Sequence, residues 1–173
     1  TLNAALTDLG LISPELSGPA MLAANVSTDP DGVITLETGL NAPDANADFA
    51  GTATPAAQGY TVRGSGDAGV TDLNRYSGLV GRRLGGGISI DLSGILETAS
   101  GVLDAQVSAQ TQDISIGSQA VDRIIAGLGR ISADVSLSDA GRLRLDALDV
   151  AFPNLSAQGT VATSGADTVA DLS

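Results

Sequence analysis

Between Leu84 and Gly117 the chain reads LGGGISIDLSGILETASGVLDAQVSAQTQDISIG, with apolar residues at every second position over long stretches. Ile88, Ile90 and Leu92 alternate with polar neighbours, as do Leu103, Ala105 and Val107, then Ile114 and Ile116. Successive side chains of a strand point to opposite faces, so a period of two specifies strands with one apolar face. Thr98-Ala99-Ser100-Gly101 separates the runs, and its glycine supplies the positive φ of a tight turn. Strand, tight turn, strand is the unit, and it occurs three times.

In the first cycle, residues 4–12 (AALTDLGLI) are predicted to form a short helix with Leu6, Leu9 and Ile12 on one side, ended by Pro14. Leu22, Ala24 and Val26 mark a strand after Leu16-Ser17-Gly18, Asp29-Pro30-Asp31-Gly32 a turn, and Ile34 and Leu36 the return. A third strand carries Phe49, Gly51 and Ala53, and residues 55–69 read as a further edge strand and loop around Tyr60 and Val62. The second cycle opens on a short helix over 72–80, capped by Thr71 or Asp72, and leads into the stretch above. The third opens on a helix over 119–126 capped by Ser118, with Val121, Ile124, Ile125 and Leu128 as its apolar stripe. Ile131, Ala133, Val135 and Leu137 then alternate, Asp139-Ala140-Gly141 turns, and Leu143 and Leu145 return. Leu155, Ala157, Gly159 and Val161 close the chain.

Glycine spacing makes the repeat countable. From the glycine after each helix to the turn glycine is 14 residues (Gly18 to Gly32), 15 (Gly86 to Gly101) and 14 (Gly127 to Gly141). Val26, Ile95 and Val135 stand six before the turn glycine, and Ile34, Leu103 and Leu143 two after it. Ile88, Ile90 and Leu92 are even-numbered but Ile95 and Leu103 are odd, so one residue is expected to be inserted as a β-bulge at Gly94. A second parity change falls near Ala147, between Leu145 and Leu148.

Composition removes whole classes of function. The chain of 173 residues has no Cys, no His and no Trp, hence no disulfide, no thiolate metal site and no imidazole base. Eight Arg, no Lys and 20 acidic residues leave a net charge of −12, a surface that repels nucleic acid and anionic membrane. Aromatics number only four, yet 43% of residues are hydrophobic, which describes an all-β protein with slim side chains. The chain opens at Thr1 with no signal peptide or spanning stretch and reads as a piece of something longer.

The pattern Asp72-Leu73-Asn74-Arg75-Tyr76-Ser77-Gly78-Leu79 running to Leu84-Gly85-Gly86-Gly87-Ile88-Ser89-Ile90-Asp91-Leu92-Ser93-Gly94 resembles the TamB family, AsmA-like bacterial envelope proteins. Asp8-Leu9 running to Leu16-Ser17-Gly18 echoes it, as does Leu155-Ser156-Ala157-Gln158-Gly159-Thr160. The resemblance covers essentially the whole chain. It implies a periplasmic section of an inner-membrane-anchored protein, the anchor lying outside this segment. It also implies a groove scaffold for phospholipid transport between the two membranes, for outer-membrane protein assembly, or for both. The expected fold is all-β with minor short helices: a repetitive, mostly antiparallel curved sheet forming an elongated apolar groove. The chain is read as one segment of a longer repeat domain, with approximate repeats 4–70, 71–117 and 118–173. Ile34, Leu36, Ile88, Ile90, Leu92, Leu103, Val107, Val135, Leu137, Leu143 and Leu145 are the expected lipid-groove residues. The expected partners are phospholipid acyl chains and an outer-membrane β-barrel protein of the full-length assembly, with self-association through open sheet edges. No catalytic, cofactor or metal site is expected.

Other motifs reduce to local structure. Gly85-Gly86-Gly87 precedes a strand rather than a helix and is no phosphate loop. Asp29, Asp31 and Asp139 sit in turns, where Asp bonds its own backbone more often than calcium. Arg82 and Arg83 suit a lipid-headgroup rim or plain solvation, and Ser77, Ser100 and Ser118 have no His to activate them. Two readings of different class stand: a lipid-conducting scaffold, and a passive β-solenoid stalk or adhesin segment with a filled interior and no ligand.

Overall fold

The computed structural model describes residues 1–11, 17–164 and 167–173. Eleven strands form one sheet in strict sequence order, every neighbouring pair antiparallel. They are β1 (Leu2–Leu6), β2 (Ala20–Thr28), β3 (Ile34–Ala42), β4 (Ala45–Pro55), β5 (Tyr60–Val70), β6 (Gly85–Glu97), β7 (Val102–Ser115), β8 (Leu128–Leu137), β9 (Leu143–Phe152), β10 (Leu155–Ser164) and β11 (Asp167–Leu172). The sheet stays open, with 65% of the described residues in strands and 11% helical, so the expected all-β, repetitive antiparallel architecture with minor helices is what the chain forms.

Hairpins close at the three expected glycines, each in the left-handed region: Gly32 (φ 79°), Gly101 (φ 73°) and Gly141 (φ 70°). The amide of Gly32 donates to Asp29 O and that of Gly141 to Ser138 O, three residues back, whereas Gly101 donates to Glu97 O, four back. The extra residue of the second cycle therefore sits in its turn. No bulge occurs at Gly94, which pairs regularly with Gly64 and Ala105. Leu96, paired with Val62 and Leu103, continues the face of Ile88, Ile90 and Leu92, and Ile95 points the other way. β6 does carry a bulge, but at Gly86 (φ 80°), where the register shifts between Gly85 and Gly87. The second expected parity change is present: the β8–β9 register shifts between Ser132 and Asp134, opposite Ala147 at φ 48°.

Helical segments lie between β1 and β2 (a 3-10 turn, Leu9–Leu11), between β5 and β6 (Leu73–Tyr76 and α1, Ser77–Val80) and between β7 and β8 (α2, Gln119–Ile125). An up-and-down sheet brings all three crossings to one end. The helix expected over 4–12 is not formed: residues through Leu6 extend as β1, Leu9–Leu11 make one tight turn, and Ile12, Pro14 and Leu16 lie outside the described residues. Residues 55–69 are no edge: β5 is a central strand between β4 and β6. Asp72 caps its turn through the Asn74 amide, as expected. Ser118 makes no side-chain cap; Asp122 reaches back instead and accepts from the Ile116 amide at 2.8 Å.

Arg75 ties this end together. Its guanidinium meets Asp44 Oδ2 at 3.1 Å, in the β3–β4 turn, and also bonds Ser17 O and Oγ, before β2. Tyr76 adds a hydroxyl bond to Pro43 O at 3.3 Å.

Candidate functional site

Residues paired across an antiparallel ladder share a face, so the register assigns each side chain to a side of the sheet. One rung runs Leu22, Leu40, Ala47, Ala68, Ile90, Ala109, Ile131, Val150, Ala157. Two rungs along, the same side carries Val26, Leu36, Gly51, Gly64, Gly94, Ala105, Val135, Leu145, Val161 and Ala170. A further rung runs Ile34, Ala53, Val62, Leu96, Leu103, Leu137, Leu143. Every residue assigned to the groove from sequence lies on this side: Ile34 and Leu36 on β3, Ile88, Ile90 and Leu92 on β6, Leu103 and Val107 on β7, Val135 and Leu137 on β8, Leu143 and Leu145 on β9. Ser89, Gln106, Asp134 and Arg144 lie on the other side.

Among the described residues the apolar side has no second layer. Among the described residues only Ala105 (9% exposed), Thr111 (4%) and Gly129 are buried, while Leu92 keeps 45% of its surface. Its side chains touch neighbours in the sheet and then water. A filled interior, as a stalk of packed strands would have, is absent from the described residues.

Slim residues shape the middle of this face. Gly51, Gly64 and Gly94 are consecutive partners on β4, β5 and β6. The Phe49 ring lies over the first two: a Cβ at Gly64 would meet its Cζ at 2.6 Å, and one at Gly51 at 3.0 Å. Phe152 covers Gly129 on β8 in the same manner. Both phenylalanines thus lie down on neighbouring glycines, which keeps the face low.

The polar side is acidic. Asp48 pairs directly with Asp67, and Asp67 with Asp91, across β4, β5 and β6. Asp134 faces Asp146 across β8 and β9, where Arg144 bonds Asp146 at 2.7 Å. Two open recesses of about 780 Å³ lie on this side. Their walls are polar side chains such as Asp48, Ser65, Asp91, Gln106 and Asp134, and the backbone of the intervening apolar rung is their floor. No three acidic groups among the described residues are arranged to hold a metal ion.

Local sequence pattern carries no signal for the register that aligns these acids, nor for the contacts that Arg75 makes across the β3–β4 turn. The turn residues behave locally: Asp29 Oδ1 accepts from the amides of Asp31 and Val33, both at 2.9 Å. Ser77 Oγ accepts from the Leu84 amide, and Ser100 Oγ bonds Glu97. Arg82 and Arg83 are exposed, with Arg83 backbone against Gly117. No described helix is long and apolar enough to cross a membrane. No protein-family model, curated protein or solved structure matches the chain.

Proposed function

We propose that this chain is a periplasmic section of a TamB-like envelope protein, a scaffold along which phospholipid acyl chains pass between inner and outer membranes, with a part in outer-membrane protein assembly. One observation carries the reading: the apolar side of the sheet is continuous across eleven strands and uncovered among the described residues. At ~4.8 Å per strand the face is about 48 Å long, roughly three times a lipid tail that fills half of a ~30 Å hydrocarbon core. No charged residue stands on the rungs traced above, so a tail sliding along them meets no buried charge.

The magnitudes suit carriage rather than storage. Burying a CH₂ fully gains about 0.8 kcal/mol, and a tail lying on an open face hides about half its surface. A tail of about sixteen carbons then gains roughly 6 kcal/mol, enough to hold it and little enough to let it move. Small side chains and flattened phenylalanines keep the steps between rungs low.

Native mass spectrometry of the chain purified from bacterial cells tests the reading. Phospholipid-sized adducts removed by mild detergent are the expected result. A bare chain under all extraction conditions returns the molecule to the passive stalk.

A further inference from the structure

We propose that a phospholipid lies on the apolar side in one orientation, with its tails along the strands and its phosphate at the end of the sheet where the helical crossings sit, held by Arg82, Arg83 and Arg123. This orientation rests on the lipid reading above and adds to it the end at which the headgroup travels.

Charge distinguishes the two ends of the strands. The turns of Gly32, Gly101 and Gly141 fall at one end, the three helical crossings at the other. At or beside the turns stand Asp29, Asp31, Glu97 and Asp139, all exposed, with Arg142 as the arginine among them. In the described crossings the acids are already engaged. Asp44 pairs with Arg75, while Asp8, Asp72 and Asp122 accept from the backbone amides of Gly10 and Gly18, of Asn74 and of Ile116. Asp113, at the end of β7, is exposed and makes no such bond among the described residues. Against that one acid stand Arg82, Arg83 and Arg123, all exposed and without an ion pair among the described residues. They run counter to a net charge of −12.

These arginines sit among exposed apolar side chains. Leu79 and Val80 of α1 precede Arg82 and Arg83, and Val121 and Ile124 flank Arg123 in α2. Gly117 lies against the Arg83 backbone, so the two crossings adjoin. Asn154 Nδ2 donates to Arg123 O at 3.0 Å, which carries the rim on to the β9–β10 turn. Cations beside apolar side chains suit the boundary between a lipid's phosphate and its acyl chains.

Length agrees. From the rung of Ile88, Thr111 and Gly129 to that of Leu96, Leu103 and Leu137 is eight residues. At ~3.3 Å per residue this is about 26 Å, whereas a tail filling half of a ~30 Å hydrocarbon core is about 15 Å. A tail laid along the strands from the arginines ends short of the acidic turns. The reverse orientation would set the phosphate against those acids. Passage is then sideways, strand to strand, with the headgroup following the crossings.

The chain has no Trp, so a single introduced indole reports on its own surroundings. Leu155→Trp places one on the apolar side at the crossing end, Leu92→Trp in the middle and Leu143→Trp at the turn end. All three positions are exposed, so each variant keeps its fold, checked by circular dichroism. The probes are phosphatidylglycerols with a nitroxide either on the headgroup or at the far end of one tail. Three arginines at one end should favour one orientation about tenfold or more. Headgroup quenching should therefore be stronger by about that factor in Leu155→Trp than in Leu143→Trp, and tail-end quenching strongest in Leu92→Trp. Adding Arg82→Gln, Arg83→Gln and Arg123→Gln to each end variant should remove most of the difference. Tail-end quenching accompanied by equal headgroup quenching at both ends, or stronger quenching in Leu143→Trp, overturns the orientation and leaves the lipid reading standing. A preference that survives the three Gln substitutions overturns the role of the arginines. No quenching by either probe at any position contradicts the lipid reading itself, and the orientation falls with it.

Discussion

The ring of Phe49 lies against Gly64, so that a Cβ built there would sit 2.6 Å from its Cζ. The contact explains why a central strand of the sheet carries Gly64 and Gly66 where a β-branched residue would ordinarily stand. Gly64→Ala should destabilise the chain by about 1–2 kcal/mol, because the ring must leave its glycine bed. In a Phe49→Ala background the same change should be neutral or stabilising, since alanine loses less backbone entropy than glycine. Urea unfolding of the four variants measures the coupling directly.

Asp67 stands between Asp48 and Asp91 on adjacent strands, three like charges in a row. Like charges directly opposite destabilise a ladder. Asp67→Asn should therefore stabilise the protein by about 0.5–1 kcal/mol at low salt, with the gain fading near 1 M as screening shortens to ~3 Å. Denaturation at the two salt concentrations checks both the sign and its disappearance.

The strands around Gly101 were legible because a period of two names the face and a turn glycine names the register. The same logic exposed the bulge at Ala147, where two runs of opposite parity meet without a turn between them. It misplaced the shift in β6, because a parity change caused by a longer turn looks identical in sequence to one caused by a bulge at Gly94. β1 was misread as helix because four or five apolar residues carry too little periodicity to separate helix from strand. β5 was demoted because its glycines conceal a strand, and the reason for them lies in Phe49 on a neighbouring strand. The aspartate ladder depends wholly on register between strands, which no local pattern reports. For the candidate site, the side chains that share the apolar face were legible; that the face lacks a second layer was not.

Ala147 holds φ at 48° inside the β9 bulge. A left-handed conformation costs an L-residue roughly 1 kcal/mol, and glycine escapes that cost. Ala147→Gly should raise the unfolding free energy by about 0.5–1 kcal/mol, read from the urea midpoint at unchanged m-value. A loss of stability of similar size would place the bulge elsewhere.

Val135 is half-buried on the apolar side, between Ala105 and Leu145. A carboxylate there reaches water over the open face, so Val135→Asp should cost about 1–2 kcal/mol rather than the several expected of an unpaired charge in a closed core. Lipid adducts should fall well before folding does. Thermal unfolding and native mass spectrometry on one preparation separate the two effects.

Passage of lipid along one side of the sheet is tested by a photo-crosslinking residue placed in turn at Val107, Val135 and Leu96, on the apolar side, and at Asp134 and Ile95, on the polar side, in the full-length protein in cells. Phospholipid adducts are expected at Val107, Val135 and Leu96 and none at Asp134 or Ile95. Equal labelling on both sides, or none at any position, would contradict it.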